Sequence, residues 1–420
     1  MGIIKKIDST SINFDKYKEI TPRIYEDSKK LAKKLKNKKI IHLNSTQLGG
    51  GVSELLHSQT PLERSLGIDS SWYIINAPVE FFKTTKKIHN LLQGEKGSLT
   101  NSEKEIYLNW IDKEIAPTFQ KLIQKEKPDI IVIHDPQPLP LIKYIPKDIT
   151  PILRIHIDLS EPNLKTLEFL QPLIQQYKLV VLSHPEYRPQ WLPKKKTVII
   201  MPAINPFTIK NEIISQSKAK QILQTFNINT DNPIVSQVSR FDPWKDPLGV
   251  LKTFYIAKNK FPKLQLILAG LFQAKDDPQA KEMFEKVKKQ AEGDSDIFLF
   301  ADPTTIKDID NSLFVNAIYT ASTVVMQKSI KEGFGLTVTE AMLKGKPVIG
   351  GNTLGIALQI KHKKNGFLVS SPEEAAKYLI KLLSNKKLQN RIGKTAQKYV
   401  KDNFLLSRFV LDHLELYNNI

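Results

Sequence analysis

Short runs rich in β-branched and other apolar residues recur through the first half of the chain, separated by stretches of helical period. They are KIIHLN (39–44), SWYIIN (71–76), DIIVIHD (129–135), ILRIHID (152–158), LVVLS (179–183) and TVIIMP (197–202). Continuously apolar strands have to be covered on both faces, and their alternation with helices predicts a parallel sheet. The pattern is then stated a second time, in PIVSQVS (233–239), LQLILAG (264–270), DIFLFAD (296–302), TVVMQ (323–327) and KPVIGG (346–351). Such a chain is constrained to an α/β architecture of two doubly wound, Rossmann-like domains, which also suits its 420 residues at ~150 residues per domain. Between the two sets, MPAINPFTIKNEIISQ (201–216) carries two prolines and no clear period, as a connection would. The expected domains are 1–205 and 206–402, followed by an amphipathic closing helix over 403–420 that returns to the first domain. Two facing domains of this kind would leave an interdomain cleft at the carboxyl ends of their strands, where such folds take ligands.

Hydrophobic residues make up 41% and charged residues 25%, the balance of a globular protein. A formal charge of +19 invites nucleic acid, an anionic membrane or a phosphorylated substrate, but nearly all the excess is lysine in a chain also rich in Ile and Asn. General residue bias accounts for that pattern, and KKLAKKLKNKK (29–39) reads as the solvated face of a helix with Leu31, Leu35 and Ile40 inward. The absence of cysteine excludes thiolate nucleophiles, disulfides and Cys-ligated zinc. The N-terminus lacks a signal-like apolar core, and no apolar run reaches the ~18 residues of a membrane span, so a cytoplasmic location is expected.

Four segments carry candidate chemistry. In SIKEGFGLTVTEAMLKGKPVIGG (329–351), a loop bearing Glu332 leads into a helix expected over 336–344, with Gly345 and Pro347 closing it. A glycine-flanked helix start with free N–H groups suits phosphate. Thr337 and Glu340 also have the spacing of a capping box, and Glu332 alone reads as a loop carboxylate. Paired carboxylates serve glycoside hydrolysis at roughly 5 to 9.5 Å. Eight helical steps would hold these two ~12 Å apart along the axis, but Glu332 on a loop leaves the separation open. In SRFDPWKDP (239–247), Arg240 and Lys245 follow the first strand of the second set and could clamp a diphosphate, against a background of ordinary surface basicity. In NSTQLGGGVSELL (44–56), Gly49, Gly50 and Gly51 allow close backbone approach, although neither the dinucleotide nor the P-loop spacing is met. HDPQPLP (134–140) and RIHIDLSEPN (154–163) bring His134, Asp135, His156 and Asp158 to strand ends. His156 and Asp158 sharing one strand face would allow a metal, but no third and fourth ligand has the spacing, and sugar hydroxyls suit these side chains better.

Together these segments resemble the retaining nucleotide-sugar glycosyltransferases of family 4, and more narrowly their trehalose synthase and trehalose phosphorylase branch, over residues 39 to 372. The resemblance implies a GT-B fold and no obligatory metal, with Mg²⁺ able to bind but not required. It implies that Arg240 and Lys245 neutralise the donor diphosphate, that Glu332 holds the transferred glucose and that Glu340 binds the ribose. Backbone N–H groups of Phe334, Gly335, Leu336 and Thr337 would surround sugar and phosphates, with Gly50 and Gly51 near the diphosphate. His156 would lie beside the reacting sugar, and Glu54, Asp135 and Asp158 on the acceptor side. One departure is Leu354 before Gly355, where the family commonly has a Gly-Gly-Ile turn. The implied reaction moves glucose from a nucleoside diphosphate glucose to glucose, giving trehalose; trehalose phosphorolysis or another sugar acceptor stays open, as does a homodimer. Two other classes fit less well: a nicotinamide oxidoreductase lacks its glycine fingerprint, and a nucleic-acid binder lacks aromatic residues among its dispersed cations.

Overall fold

The computed structural model describes residues 3–47, 51–270, 278–306 and 309–420. The chain divides into two compact units, one of Met1–Ala203 with Leu406–Ile420 and one of Ile204–Leu405.

The first unit is built on seven strands: β1 (Ile4–Ile7), β2 (Lys39–Asn44), β3 (Asp69–Ile75), β4 (Ile130–His134), β5 (Thr150–Arg154), β6 (Leu179–Leu182) and β7 (Thr197–Ile199). Their order is β1-β3-β2-β4-β5-β6-β7. All neighbours are parallel except β1, which pairs antiparallel with β3, Ile4 opposite Ile75. That edge strand escapes sequence reading because it is only IKKI, with two exposed lysines between its apolar ends. β2 and β4 are buried along almost their whole length, as their unbroken apolar runs demand. The order of strands reverses between β2 and β4, and such a reversal opens a crevice at the carboxyl ends of the strands.

β5 is shorter than predicted. It ends at Arg154, so His156 and Asp158 lie beyond the sheet and do not share a strand face. The chain turns out there because the Asp135 carboxylate accepts the His156 N–H at 2.8 Å, and Asp158 Oδ1 accepts from the N–H and hydroxyl of Ser160.

The second unit carries β8 (Ile234–Val238), β9 (Gln265–Ala269), β10 (Ile297–Phe300), β11 (Val324–Gln327), β12 (Val348–Gly351) and β13 (Phe367–Val369). They form a wholly parallel sheet in the order β10-β9-β8-β11-β12-β13. Here the reversal falls between β8 and β11. Val235, Leu266, Leu268, Met326 and Ile349 pack into one buried cluster with the covering helices, and each such side chain contributes about 1.5–3 kcal/mol by leaving water.

Helices Lys386–Asn403 and Leu406–Asn418 are separate. The latter belongs to the first unit, where it packs on helix Pro22–Lys34 and Thr21 Oγ1 donates to Ser407 Oγ at 3.0 Å. Its Arg408 guanidinium donates to the carbonyls of Met201 and Pro202. Among the described residues no helix is long and apolar enough to cross a membrane.

Candidate active site

In the second unit the loops after β8 and β11, the two strands at the reversal, are tied together by one buried glutamine. Gln237 Oε1 accepts the Lys328 N–H and its Nε2 donates to the Lys245 carbonyl, both at 2.9 Å. The Ile330 N–H adds a bond to the Trp244 carbonyl. Asp242 caps the single turn Pro243–Lys245, and Asp246, at φ +48°, caps helix Pro247–Lys258 while pairing with Lys328. This scaffold aims Lys245 Nζ at Glu332 Oε2, 2.5 Å away, with Ser329 Oγ on the same oxygen at 3.2 Å. Both side chains are mostly shielded, at 18% and 12% exposure, whereas Arg240 is 50% exposed and reaches Asp242 at 3.5 Å.

Glu332 precedes Gly335, whose φ of +87° places it at the start of helix Leu336–Leu343, where no side chain caps the helix. A Cβ on Gly355 would stand 2.4 Å from the Glu332 carbonyl oxygen and 2.6 Å from Gly333 C, so the glycine after Leu354 is required by direct backbone packing against this loop. Gln359 closes the arrangement by donating to the carbonyls of Phe334 and Gly335, at 2.6 and 3.2 Å. The Phe334 ring is buried edge-on against Phe404, so what this residue can turn toward a ligand is its backbone.

The capping box is not formed. Thr337 lies inside the helix and its hydroxyl donates to Gln327 Oε1 at 3.0 Å. Glu340, in the second turn and only 1% exposed, is instead held by Lys210 Nζ on Oε1 at 2.6 Å and by the Tyr319 hydroxyl on Oε2 at 3.2 Å. Lys210 comes from the segment read as a mere connection. Nothing in that segment's composition signals a partner for a buried carboxylate.

In the first unit, the site grows from β2, β4 and β5. His42 on β2 stands opposite Val132, so His134, two residues on, lies on the same face. Their rings bond at 3.1 Å, Nδ1 of His42 to Nε2 of His134. His134 Nδ1 meets His156 Nε2 at 3.0 Å, and at the other end His42 Nε2 meets Glu63 Oε2 at 3.2 Å. Gln59 Nε2 donates to Glu63 Oε1 at 2.8 Å and the Ser70 hydroxyl to Oε2 at 2.5 Å.

The electrostatics of this row follow from burial. Burial alone would raise Glu63, but the charge and hydrogen bond of His42 and the bonds from Ser70 and Gln59 outweigh it and hold the carboxyl below its usual range. Burial, then the neighbouring histidines and the Arg154 guanidinium, push His134 well below the ordinary histidine range. Burial and Arg154 do the same for His156. Arg154 is itself buried, donating to the carbonyls of Leu182 and Ile200. Asp135, at φ +63°, is raised to about 7 by burial, against the lowering effect of the His156 N–H and of Arg154. Among the described residues no three His, Asp or Glu side chains converge as a metal ion would need; the histidines instead bond to one another in file.

Glu54 is in the first turn of helix Gly51–Ser65, half-buried, and Gly51 is that helix's first residue. Gly49 and Gly50 lie outside the described residues. The strand end before this loop is fixed by Trp72 Nε1 donating to Asn44 Oδ1 at 2.8 Å. Of the anticipated residues, Lys245 and Glu332 are thus brought into contact in one unit, and Asp135 and His156 in the other.

With this geometry in hand, comparison with known proteins is decisive. The family described as "Trehalose synthase, N-terminal domain" matches residues 42–189, and "Glycosyl transferases group 1" matches residues 218–399. The trehalose synthase of Thermococcus litoralis is 40% identical over 99% of both chains. The chain belongs to the trehalose synthase family of glycosyltransferases. A trehalose phosphorylase of Pleurotus pulmonarius is 28% identical, over 89% of this chain and 56% of its own length. The sucrose-phosphate synthase of Thermosynechococcus elongatus superposes with a TM-score of 0.70 at 18% identity, covering 91% of this chain and 99% of that structure, and the architecture is GT-B. Family membership makes this a trehalose-related glycosyltransferase.

Proposed function

We propose that this glycosyltransferase moves glucose from a nucleoside diphosphate glucose to free glucose, with retention at the anomeric carbon, giving trehalose. The observation that carries the reading is the Lys245–Glu332 contact beside the uncapped start of helix Leu336–Leu343. As the anomeric bond breaks, positive charge grows on the sugar and negative charge on the departing diphosphate. A fixed ammonium and free helix N–H groups stabilise the second, and a carboxylate a hydrogen bond away holds the first. Arg240 adds a second cation, so no obligatory metal is needed to balance the diphosphate. The backbone of Phe334, Gly335, Leu336 and Thr337 lines this end of the donor. Glu340 is the acceptor for the ribose hydroxyls; Lys210, bound to Oε1, is the side chain that must yield to them. In the first unit, His156 is assigned to the reacting sugar, and Asp135, Asp158 and Glu54 to the acceptor sugar.

The test is product analysis. Trehalose should form from glucose with UDP-, ADP- or GDP-glucose, at a rate insensitive to a metal chelator. Trehalose formed from glucose 1-phosphate alone would instead favour the phosphorolytic chemistry of the Pleurotus relative, and no disaccharide from any donor would end the proposal.

A further inference from the structure

In the second unit, Lys210 stands on the segment that runs from Ile204 to the first helix of that unit, Gln216–Gln224. Its ammonium is 2.6 Å from Glu340 Oε1, and the two side chains are 17% and 1% exposed. A carboxylate so deeply buried needs a cation, because an unpaired charge in the interior is strongly unfavourable. The Tyr319 hydroxyl on Oε2 at 3.2 Å is a weaker partner, being neutral. Lys210 thus occupies the very oxygen to which the proposed function brings a ribose hydroxyl.

The backbone that carries Lys210 is pinned on both sides of it. Asn316, fully buried on helix Asn311–Ala321, donates from Nδ2 to the Ile209 carbonyl at 2.6 Å and to the Glu212 carbonyl at 2.9 Å. The Glu212 N–H donates to the Thr208 carbonyl at 2.8 Å and Asn211 Nδ2 to the Asn205 carbonyl at 2.9 Å, which closes the segment on itself. Lys344, just after helix Leu336–Leu343, donates to the Glu212 carbonyl as well. Burial pushes the Lys344 ammonium down to about 8 against the raising effect of Glu212 and Glu340, so it too stands in the field of that carboxylate. With the backbone held, what can move is the Lys210 side chain. Its flexible stem lets the ammonium leave Oε1 and return without any refolding of the segment.

We propose that Lys210 is an internal competitor of the nucleotide: a cation that holds the ribose place on Glu340 while the site is empty, is displaced as the donor binds, and returns as the spent nucleoside diphosphate leaves. This rests on the reading that Glu340 accepts the ribose hydroxyls. Only molecules with Lys210 turned away are ready for the ribose, so the apparent affinity is the intrinsic one reduced by the fraction in that state. Donor and product carry the same ribose and are weakened alike. A contact weakened equally in substrate, transition state and product leaves the bond-breaking step at its own rate, while the exchange of product for fresh donor becomes faster. Where Arg240 and Lys245 hold a diphosphate by charge, a weakened nucleoside end keeps the product from lingering.

Lys210→Met tells a competitor from a contact, because the two move affinity in opposite directions. Calorimetric titration at about pH 8 with UDP, ADP and GDP in turn should show the preferred nucleoside diphosphate bound about fivefold or more tighter in the variant. Product inhibition by that nucleotide should strengthen by the same factor. The Tm of the free variant should fall, since Glu340 loses its cation, and the nucleotide should raise it by more than in the wild type. An affinity equal to or below that of the wild type would overturn the proposal. Should K210M fail to fold, Lys210→Gln removes the charge but keeps a donor, and unchanged or weaker nucleotide binding there would overturn it equally. Glu340→Gln separates the two claims: undiminished nucleotide affinity in that variant sinks the ribose placement, whereas a weakened E340Q beside an untightened K210M sinks the competitor alone.

Discussion

Both units open a crevice where their strand order reverses, and they furnish it with opposite chemistry. At β8 and β11 the side chains form ion pairs, Lys245 with Glu332 and Lys328 with Asp246, on loops stapled by Gln237. At the ends of β4 and β5 stand His134 and His156, pushed toward the neutral form. Fixed charges suit a substrate whose own charge is large and whose leaving group gains more, because they need no reorganisation as the bond breaks. Neutral histidines suit hydroxyl groups, which have to be oriented but carry no charge to balance. The same backbone geometry therefore carries ion pairs in one unit and a file of histidines in the other, by what stands on the strand ends.

The contrast can be broken most severely at Lys245. Replacing it by Met should cost about 10³ in kcat/KM for trehalose formation, the scale of losing a principal electrostatic contact in the transition state, and steady-state kinetics would show it. Gly355→Ala comes next. Its Cβ meets backbone rather than a flexible side chain, so the Glu332 loop must shift, with a loss of about 2–3 kcal/mol in denaturant unfolding and a parallel fall in activity.

On the histidine side, Asp135→Asn keeps an acceptor for the His156 N–H and tolerates the positive φ. The carboxyl is raised from 3.8 to about 7 in the folded state. The stability this contributes is full below the unfolded value and is lost as pH rises through about 7. The neutral buried histidines act in the opposite direction, losing stability as pH falls, so the variant rather than the raw curve is informative. Relative to wild type, the Asn variant should gain on the order of 2 kcal/mol between pH 4 and 8, read as a difference in Tm. Arg240→Gln should be the mildest: this half-exposed cation is screened, so donor KM should rise about fivefold at low salt and less at physiological salt.

The parts of the molecule legible in the sequence are those where one local rule dominates. Unbroken apolar runs mark eleven of the strands, and the glycines around Phe334 mark a helix start. What was not legible depends on partners far along the chain. Thr337 and Glu340 have capping-box spacing, yet Gly335 starts the helix, Thr337 turns to Gln327, and Glu340 is claimed by Lys210 and Tyr319. The run through ILRIHID reads as one strand because its residues alternate well, but the Asp135 carboxylate takes the His156 N–H and ends the ladder early. His42 and Glu63 give no signal in the sequence, since a lone histidine within an apolar strand and a glutamate within a helix look ordinary until the sheet places them side by side.

Whether Lys245 meets the diphosphate of the donor is read by calorimetric titration with the nucleoside diphosphate alone. Lys245→Met combined with Glu332→Gln removes the cation without stranding its carboxylate, and no sugar is present for Glu332 to hold. Binding of UDP, ADP or GDP, whichever the wild type prefers, should weaken about 30-fold or more in the double variant, with Tm preserved. Equal affinity in the two proteins would contradict it.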